Sequence, residues 1–191
     1  MSEPQVRGYI LASAQNFLRE QAGQEKTAQV VSGLSDDLQA ILPALKPAGW
    51  YPIELLGEFN RTIVATLAGD DEEKAREVLL DCGRFMGREA SNTFLRLLMK
   101  MLTPNLLAKK IPEFWKRDHT AGHVEIDITD SNLVGRIFPP ESYSHCGPVS
   151  AGWCGFNLQT MGKTIEQTKI SNWSLSDPAK SGVTFELVWK Q

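Results

Sequence analysis

Two of the three histidines and two of the three cysteines of this chain are candidates for a shared zinc site. His119 and His123 lie four positions apart, and Cys146 and Cys154 follow later in the sequence. Zinc prefers neutral imidazole and thiolate ligands in tetrahedral geometry. The spacing lacks the compact C-x-x-C and H-E-x-x-H patterns of strong zinc motifs, and Gly122 indicates that the histidines do not share a helix face. We expect no metal site here and interpret both histidines as unrelated surface residues.

Two other groups have the types needed for acid–base or nucleophilic catalysis. Glu125 and Asp127 share one face of a predicted strand, but apolar residues occupy the opposite face, so both carboxylates are expected to point to solvent. Cys146 follows His145 near a predicted helix start, where the helix dipole can lower a thiol pKa. The favoured interpretation of Cys146 is a small buried residue that packs the helix onto the sheet. We expect no catalytic residue and no enzymatic activity.

Composition and charge exclude several functional classes. The chain has 191 residues, a formal net charge of −3, 42% hydrophobic and 23% charged residues, a mix typical of globular domains. An acidic balance disfavours a nucleic-acid partner. The basic residues that include Lys116 and Arg117 are interleaved with Glu113 and Asp118, which indicates a solvated helix end. No phosphate-binding glycine loop, Walker pattern or G-x-S-x-G elbow occurs in the sequence.

The cellular location is predicted from what the sequence lacks. No apolar run approaches the roughly 18–20 residues that span a bilayer, and residues 1–7 are polar, without the apolar region of a signal peptide. Cys82, Cys146 and Cys154 are too few and too unevenly placed for a disulfide framework. We therefore expect a cytoplasmic protein with reduced thiols and no integral membrane segment.

The spacing of apolar residues changes near residue 120, from helical to alternating. Before that point, three- and four-residue steps predict helices over 6–21, 26–33, 36–45, 53–67, 71–101 and 104–118. The segment 71–101 contains Gly83 and Gly87, so we predict two helices there or one that is kinked. Afterwards, hairpins over 123–138 and 164–189 flank a helix over 148–161. The predicted fold is one α+β domain over 1–191, with an N-terminal helical layer (about 1–118) followed by a ββαββ antiparallel-sheet half (about 119–191).

Large aromatic side chains are the candidate lining of a binding pocket. Tryptophans near element ends usually seal a core, but several together can line an apolar pocket between the helical half and the sheet. We predict such a pocket, with Trp115, Trp153, Trp173 and Phe94 as candidate lining residues.

Four segments over residues 100–191 carry a resemblance to a known superfamily. They are 111–115 (IPEFW), 123–130 (HVEIDITD), the helix from Gly152 to Gly162 and 185–189 (FELVW). Together they resemble the superfamily that unites H-NOX haem sensors, TRAPP-type vesicle-transport subunits and vinyl-reductase-like domains of bacteria. Within that group the chain looks closest to an uncharacterised bacterial family.

This chain lacks the sequence features by which those relatives bind their cofactors or carry a modified cysteine. H-NOX domains ligate haem through a histidine on the helix before the sheet and hold its propionates with a Tyr-x-Ser-x-Arg motif. Here residues 94–111 contain no histidine, and Tyr143-Ser144-His145 does not reproduce that motif. The cysteine pair of vinyl-reductase-like domains is missing between the last strands, and Cys82 does not match the acylated cysteine of TRAPP-type subunits. We therefore expect no haem and no other cofactor.

The resemblance implies a non-enzymatic ligand-binding or signalling module with an apolar pocket for a small molecule. Its members also pair through helical faces, so a homodimer is expected, with the face of Gly83 and Gly87 either as the dimer surface or as a close contact within one chain. One alternative is a TRAPP-like interaction or scaffold subunit acting through its surface. Another is an accessory factor for a tetrapyrrole-like ligand, with His145, Cys146 and Glu125 as first candidates.

Overall fold

A computed structural model describes residues 3–90 and 103–190 of the chain. Two helices of the helical half begin after a residue whose side chain caps them. The Ser35 hydroxyl accepts a hydrogen bond from the Leu38 amide, and the Thr103 hydroxyl accepts one from the Leu106 amide. Within the described residues its helices are α1 (Gly8–Gln21), α2 (Gly23–Ser32), α3 (Asp36–Ile41, followed by a 3-10 turn at Leu42–Ala44), α4 (Ile53–Leu67), α5 (Glu72–Ala90) and α6 (Pro104–Asp118).

A small sheet that the sequence did not predict lies beside the helices. Strand β1 (Gln5–Arg7) pairs antiparallel with β2 (Trp50–Pro52), so that Val6 lies opposite Tyr51. Helix α1 consequently begins at Gly8 and not at residue 6 as predicted. Three residues are too few to show the alternating pattern by which a strand is identified in a sequence.

The second half has the predicted ββαββ order. Its elements are β3 (His123–Ile128), β4 (Asn132–Phe138), α7 (Cys146–Thr160), β5 (Ile165–Ser171) and β6 (Val183–Trp189). The four strands form an antiparallel sheet in the order β3-β4-β6-β5. Alternate residues of β4 and β6 are buried on one face of the sheet, and α7 packs against that face. The α+β architecture expected from the sequence is therefore confirmed.

The contact between α5 and α7 explains the glycines of α5. A Cβ atom added to Gly83 would lie 1.9 Å from the Val149 carbonyl oxygen, and one added to Gly152 would lie 2.0 Å from the Leu80 carbonyl oxygen. Both separations are far below van der Waals contact, so the two backbones touch only because side chains are missing. Helix α5 continues through Gly83 and Gly87, while residues 91–101 of the predicted helical segment lie outside the described residues. The glycine face is therefore buried within the chain, which supports the second of its two interpretations, a close contact within one chain.

The buried apolar side chains of both halves form one continuous cluster. It extends from Phe17 and Phe59 in the helical half to Phe185 and Trp189 in the sheet. Among the residues that the structure describes, no helix has the length and the apolar character required to cross a bilayer.

Candidate functional site

A cavity of about 140 Å³ lies where α1, α5, α6 and α7 meet the sheet. Each of these elements contributes side chains because its inward face is apolar. The lining is mainly aliphatic and aromatic, and includes Ile10 of α1, Met86 of α5, Phe114 and Trp115 of α6, Trp153 of α7 and Phe185 of β6. The cavity therefore joins the two halves of the chain.

Two of the four residues predicted to line a pocket face this cavity. Trp115 and Trp153 are both among its lining residues, and the half-buried Trp153 packs edge to face on Phe114 with ring centroids 6.1 Å apart. Trp173 lies elsewhere: its ring contacts His145 near the start of α7, at 5.9 Å between centroids. Strand β5 ends at Ser171, before this tryptophan. The fourth candidate, Phe94, lies outside the described residues.

A hydrogen-bonded group of three side chains borders the cavity at the end of α6. The Tyr9 hydroxyl donates to Oδ2 of Asp118. Arg117 donates to both carboxylate oxygens, from Nε to Oδ1 at 2.8 Å and from Nη2 to Oδ2 at 2.7 Å, and also to the Tyr9 oxygen at 3.3 Å. Burial and the neighbouring Asp118 charge raise the pKa of Tyr9, so its phenol stays protonated. Asp118 is buried, which corrects the prediction that this helix end is solvated throughout.

His119 belongs to a cluster of aromatic rings on the same wall of the cavity. Its imidazole stacks on Trp115 with centroids 4.1 Å apart and lies 5.7 Å from the Tyr143 ring. Burial lowers the pKa of His119 to about 4, so the ring is neutral at pH 7. Nδ1 lies 3.2 Å from the Trp115 carbonyl oxygen. Since a carbonyl can only accept, Nδ1 carries the proton and Nε2 keeps a free lone pair.

That Nε2 atom is shielded from solvent and has no hydrogen-bond partner among the described residues. The interpretation of His119 as a surface residue is therefore wrong. His123 by contrast is exposed and stacks on Phe138, with centroids 4.5 Å apart. In residues 3–90 and 103–190, no three His, Cys, Asp or Glu side chains are placed so that they could share a metal ion.

The cysteines are buried in the packed parts of the structure. Burial raises the pKa of Cys82, Cys146 and Cys154 to about 12 in each case. At Cys146 the backbone amides at the start of α7 lower the pKa, but burial is the larger effect. Its thiol is therefore protonated at pH 7, in agreement with its interpretation as a packing residue. Cys154 lines the cavity as a small apolar group.

The candidates for chemistry on a tetrapyrrole-like ligand do not converge. Glu125 and Asp127 are exposed on the sheet face opposite α7, and Asp127 accepts a hydrogen bond of 2.7 Å from Arg136. His145 and Cys146 are buried where α7 begins. Burial lowers the pKa of His145 to about 4, as for His119. These side chains therefore form no common site.

The polar residues of the cavity wall were not recognised as a group in the sequence. Arg117, Asp118 and His119 are consecutive, directly after the apolar face of α6, and Tyr9 lies on the apolar face of α1. The sequence offered one signal for this group: these three titratable residues follow closely after the inward-facing Trp115. The partner from α1 is 109 residues away from Asp118, and no local pattern predicts such a contact.

Comparison with known proteins finds similarity in structure and not in sequence. No protein-family model and no curated protein sequence matches the chain. The Fe(II) unliganded H-NOX protein from K. algicida has a TM-score of 0.70 at 10% identity, over 97% of each chain. The H-NOX protein from S. oneidensis in the Fe(II)NO ligation state has a TM-score of 0.65 at 13% identity, over 97% of this chain and 99% of that one. A point mutant of the T. tengcongensis H-NOX protein has a TM-score of 0.58 at 6% identity, over 96% of each. The chain therefore has an H-NOX-like α+β fold.

Proposed function

We propose that this protein is a non-enzymatic ligand-binding module that takes up one small, largely apolar molecule in the cavity between its helices and its sheet. The observation that carries the proposal is the cavity itself, about 140 Å³ in volume and lined by aliphatic and aromatic side chains from both halves of the chain. An engineered protein cavity of about 150 Å³ binds benzene. The expected ligand is therefore the size of a single ring.

The residues present do not fit haem, which the fold neighbours and the superfamily resemblance would suggest. A haem macrocycle joins four pyrrole rings, whereas the cavity has room for about one ring. H-NOX domains carry their histidine ligand on the helix before the sheet, and here residues 94–111, which precede the sheet, contain no histidine. Both observations support a module that works without haem.

The alternative of a surface-acting scaffold has less support. Such a protein needs an exposed apolar patch of several hundred Å². Among the described residues, Trp50 and Leu106 are the exposed large apolar side chains, and the Arg7 guanidinium covers the Trp50 ring at 4.0 Å. The homodimer and the cytoplasmic location stay predictions. Of the two interpretations of the glycine face, the contacts of Gly83 support close packing within the chain.

Benzene is the probe that tests the cavity. We expect saturation-transfer NMR signals from benzene with the unaltered protein and a rise in its melting temperature. The half-buried Ser150 lines the cavity, so Ser150→Phe places a ring inside it and should abolish both effects. Ser171→Phe adds the same ring on exposed strand β5 and should leave both unchanged. Circular dichroism checks that the variants are folded. Absence of binding to the unaltered protein, or equal binding to Ser150→Phe, would contradict the proposal.

A further inference from the structure

We infer that the free edge of strand β3 binds an extended segment of a partner protein, which adds to the sheet as a further strand and carries apolar and basic side chains in alternation. The apolar side chains enter a groove between β3 and α6, and the basic ones lie beside Glu125 and Asp127. This interaction goes beyond the proposed function and does not depend on the cavity. Strand addition also needs no large exposed apolar patch, since backbone hydrogen bonds supply the affinity.

Strand β3 is one of the two outer strands of the sheet, and its hydrogen-bonding pattern can be followed from the turn that leads into β4. At this turn the Thr129 amide donates to the Asn132 carbonyl at 2.9 Å. Backbone hydrogen bonds of an antiparallel pair fall on alternate residues, here counted back along β3 from Thr129. Ile126 and Ile128 therefore direct their N–H and C=O groups away from β4, toward the open edge.

These edge-facing backbone groups are not used within the chain. Among residues 3–90 and 103–190, no hydrogen bond involves the edge-facing N–H or C=O of Ile126 or Ile128. Both isoleucines are half-buried, and the residues on either side of Ile126, Glu125 and Asp127, are exposed. The edge thus offers backbone donors and acceptors at the spacing that another strand requires.

The other edge of the sheet, strand β5, is less suited to an added strand. Its pairing with β6 shifts register between Ile165 and Gln167, and it carries the exposed Lys169. Bulges and lysines are devices that protect edge strands from pairing with another chain. Strand β3 has neither, since its register with β4 runs without a shift from His123 to Ile128. Of the two edges, we therefore assign the interaction to β3.

A groove beside β3 explains the apolar half of the partner pattern. Its lining residues are Asn105, Ala108, Lys109 and Pro112 of α6 with Ile126 and Ile128 of β3. In an added strand, the residues opposite the two isoleucines point to the same face of the sheet as they do. Their side chains therefore contact this groove, where aliphatic groups fit and the Lys109 ammonium disfavours a basic one.

The carboxylates on the other face of β3 explain the basic half of the pattern. Glu125 and Asp127 are both exposed there. Asp127 pairs with Arg136 at 2.7 Å, whereas the ionic neighbour of Glu125 within the described residues is His123, at 3.9 Å. The residues of an added strand that lie opposite these two carboxylates share their face. Lysine or arginine at those positions forms favourable cross-strand pairs.

The same carboxylates disfavour a second copy of this chain as the occupant. In a symmetric antiparallel pair of β3 strands with Ile126 opposite its own counterpart, Glu125 lies opposite Asp127 of the second copy. A shift of the register in either direction places Glu125 or Asp127 opposite itself. Like charges directly opposite one another are destabilising. The partner is therefore a different protein with basic residues at these positions.

The peptide acetyl-KVKVKVK-amide is the probe, because its valines and lysines lie on opposite faces of an extended strand. We expect it to shift the backbone amide NMR signals of Ile126 and Ile128 and to slow the hydrogen exchange of both amides. N-methyl groups on its valines block the backbone donors that face β3 and should abolish both effects. The same groups on its lysines lie on the far edge and should leave both effects in place. This comparison uses the unaltered protein, so it does not depend on the folding of a variant.

A charge reversal tests the basic half of the pattern. Glu125→Lys should weaken peptide binding by about fivefold, while Glu166→Lys changes the dissociation constant less than twofold. The second variant is the matched control, because it makes the same change of charge at an exposed residue of β5. NMR titration measures the dissociation constants, and circular dichroism checks that both variants are folded.

Three results would overturn the inference. Equal weakening in Glu125→Lys and Glu166→Lys would show that net charge alone attracts the peptide. Equal binding of the two N-methylated peptides, or no binding of the unmodified one, would show that β3 accepts no added strand. Slow exchange of the Ile126 and Ile128 amides in the protein without peptide, lost on dilution, would show that a second copy occupies the edge.

Discussion

The Tyr9 hydroxyl donates a hydrogen bond to the Asp118 carboxylate and so ties the second residue of α1 to the last residue of α6. The two residues are 109 positions apart in the chain. Arg117 bonds to both of them and supplies the positive charge that a buried carboxylate needs. This contact holds together two of the helices that enclose the cavity, and we expect it to contribute to stability as well as to the shape of the site.

Removal of the Tyr9 hydroxyl should destabilise the fold. In Tyr9→Phe the buried Asp118 loses one of its hydrogen bonds, and a hydrogen bond to a charged group contributes about 1.5–3 kcal/mol. Tyr51→Phe is the matched control, since the Tyr51 oxygen accepts one hydrogen bond of 2.9 Å from the exposed Lys46 amide. Urea unfolding should give the larger loss for Tyr9→Phe. An equal or smaller loss than in the control would mean that this contact does not stabilise the fold.

The sequence predicted the regular elements and missed the contacts between them. Helix α4 has the predicted bounds 53–67, and the alternation of Val124, Ile126 and Ile128 identified the sheet half. Both depend on periodicity within one segment. The burial of Asp118 and the cavity depend on side chains that are far apart in the chain. The charged neighbours of Asp118 led to the prediction that the end of α6 is solvated. A cavity exists where side chains do not fill the space that the helices and the sheet enclose, and no local sequence pattern shows this.

The α5–α7 contact should tolerate a methyl group at one glycine of α7 and not at another. In Gly152→Ala the added Cβ would lie 2.0 Å from the Leu80 carbonyl, so the helices must separate, at a cost of about 1–3 kcal/mol. At Gly155 no atom of the described residues lies within 4 Å of an added Cβ, and alanine should stabilise the helix by about 0.5–1 kcal/mol. Thermal unfolding of the two variants should therefore shift in opposite directions. A shift in the same direction would contradict the close packing of α5 on α7.

The cysteines should react slowly in the folded protein. Burial raises the pKa of Cys82, Cys146 and Cys154 to about 12, so almost no thiolate is present at pH 8. We expect a disulfide reagent such as Ellman's to modify all three thiols rapidly in guanidinium chloride and none of them rapidly without it. Fast modification of the native protein at one cysteine, located by peptide mass spectrometry, would show that this thiol is exposed or activated.

Stability should fall as the pH is lowered below the ordinary histidine pKa. Burial lowers the pKa of His119 and His145 to about 4 in the folded protein, while unfolded histidine titrates near 6.5. The unfolded chain therefore binds protons that the folded chain does not, and the stability present above pH 6.5 is lost between pH 6.5 and 4. Each histidine contributes at most about 1.4 kcal/mol per pH unit in that window, and less near pH 6.5, where the unfolded imidazole is only half protonated.

The two histidines can be separated by substitution. Between pH 6.5 and 5.5, where most carboxylates are still ionised, urea unfolding should show a loss of about 2 kcal/mol in the unaltered protein. His119→Phe should lose about half as much, because only His145 then remains buried and neutral. His123→Phe removes an exposed imidazole and should keep the full pH dependence. If His119→Phe keeps it as well, His119 is not a shielded, neutral imidazole in the folded protein.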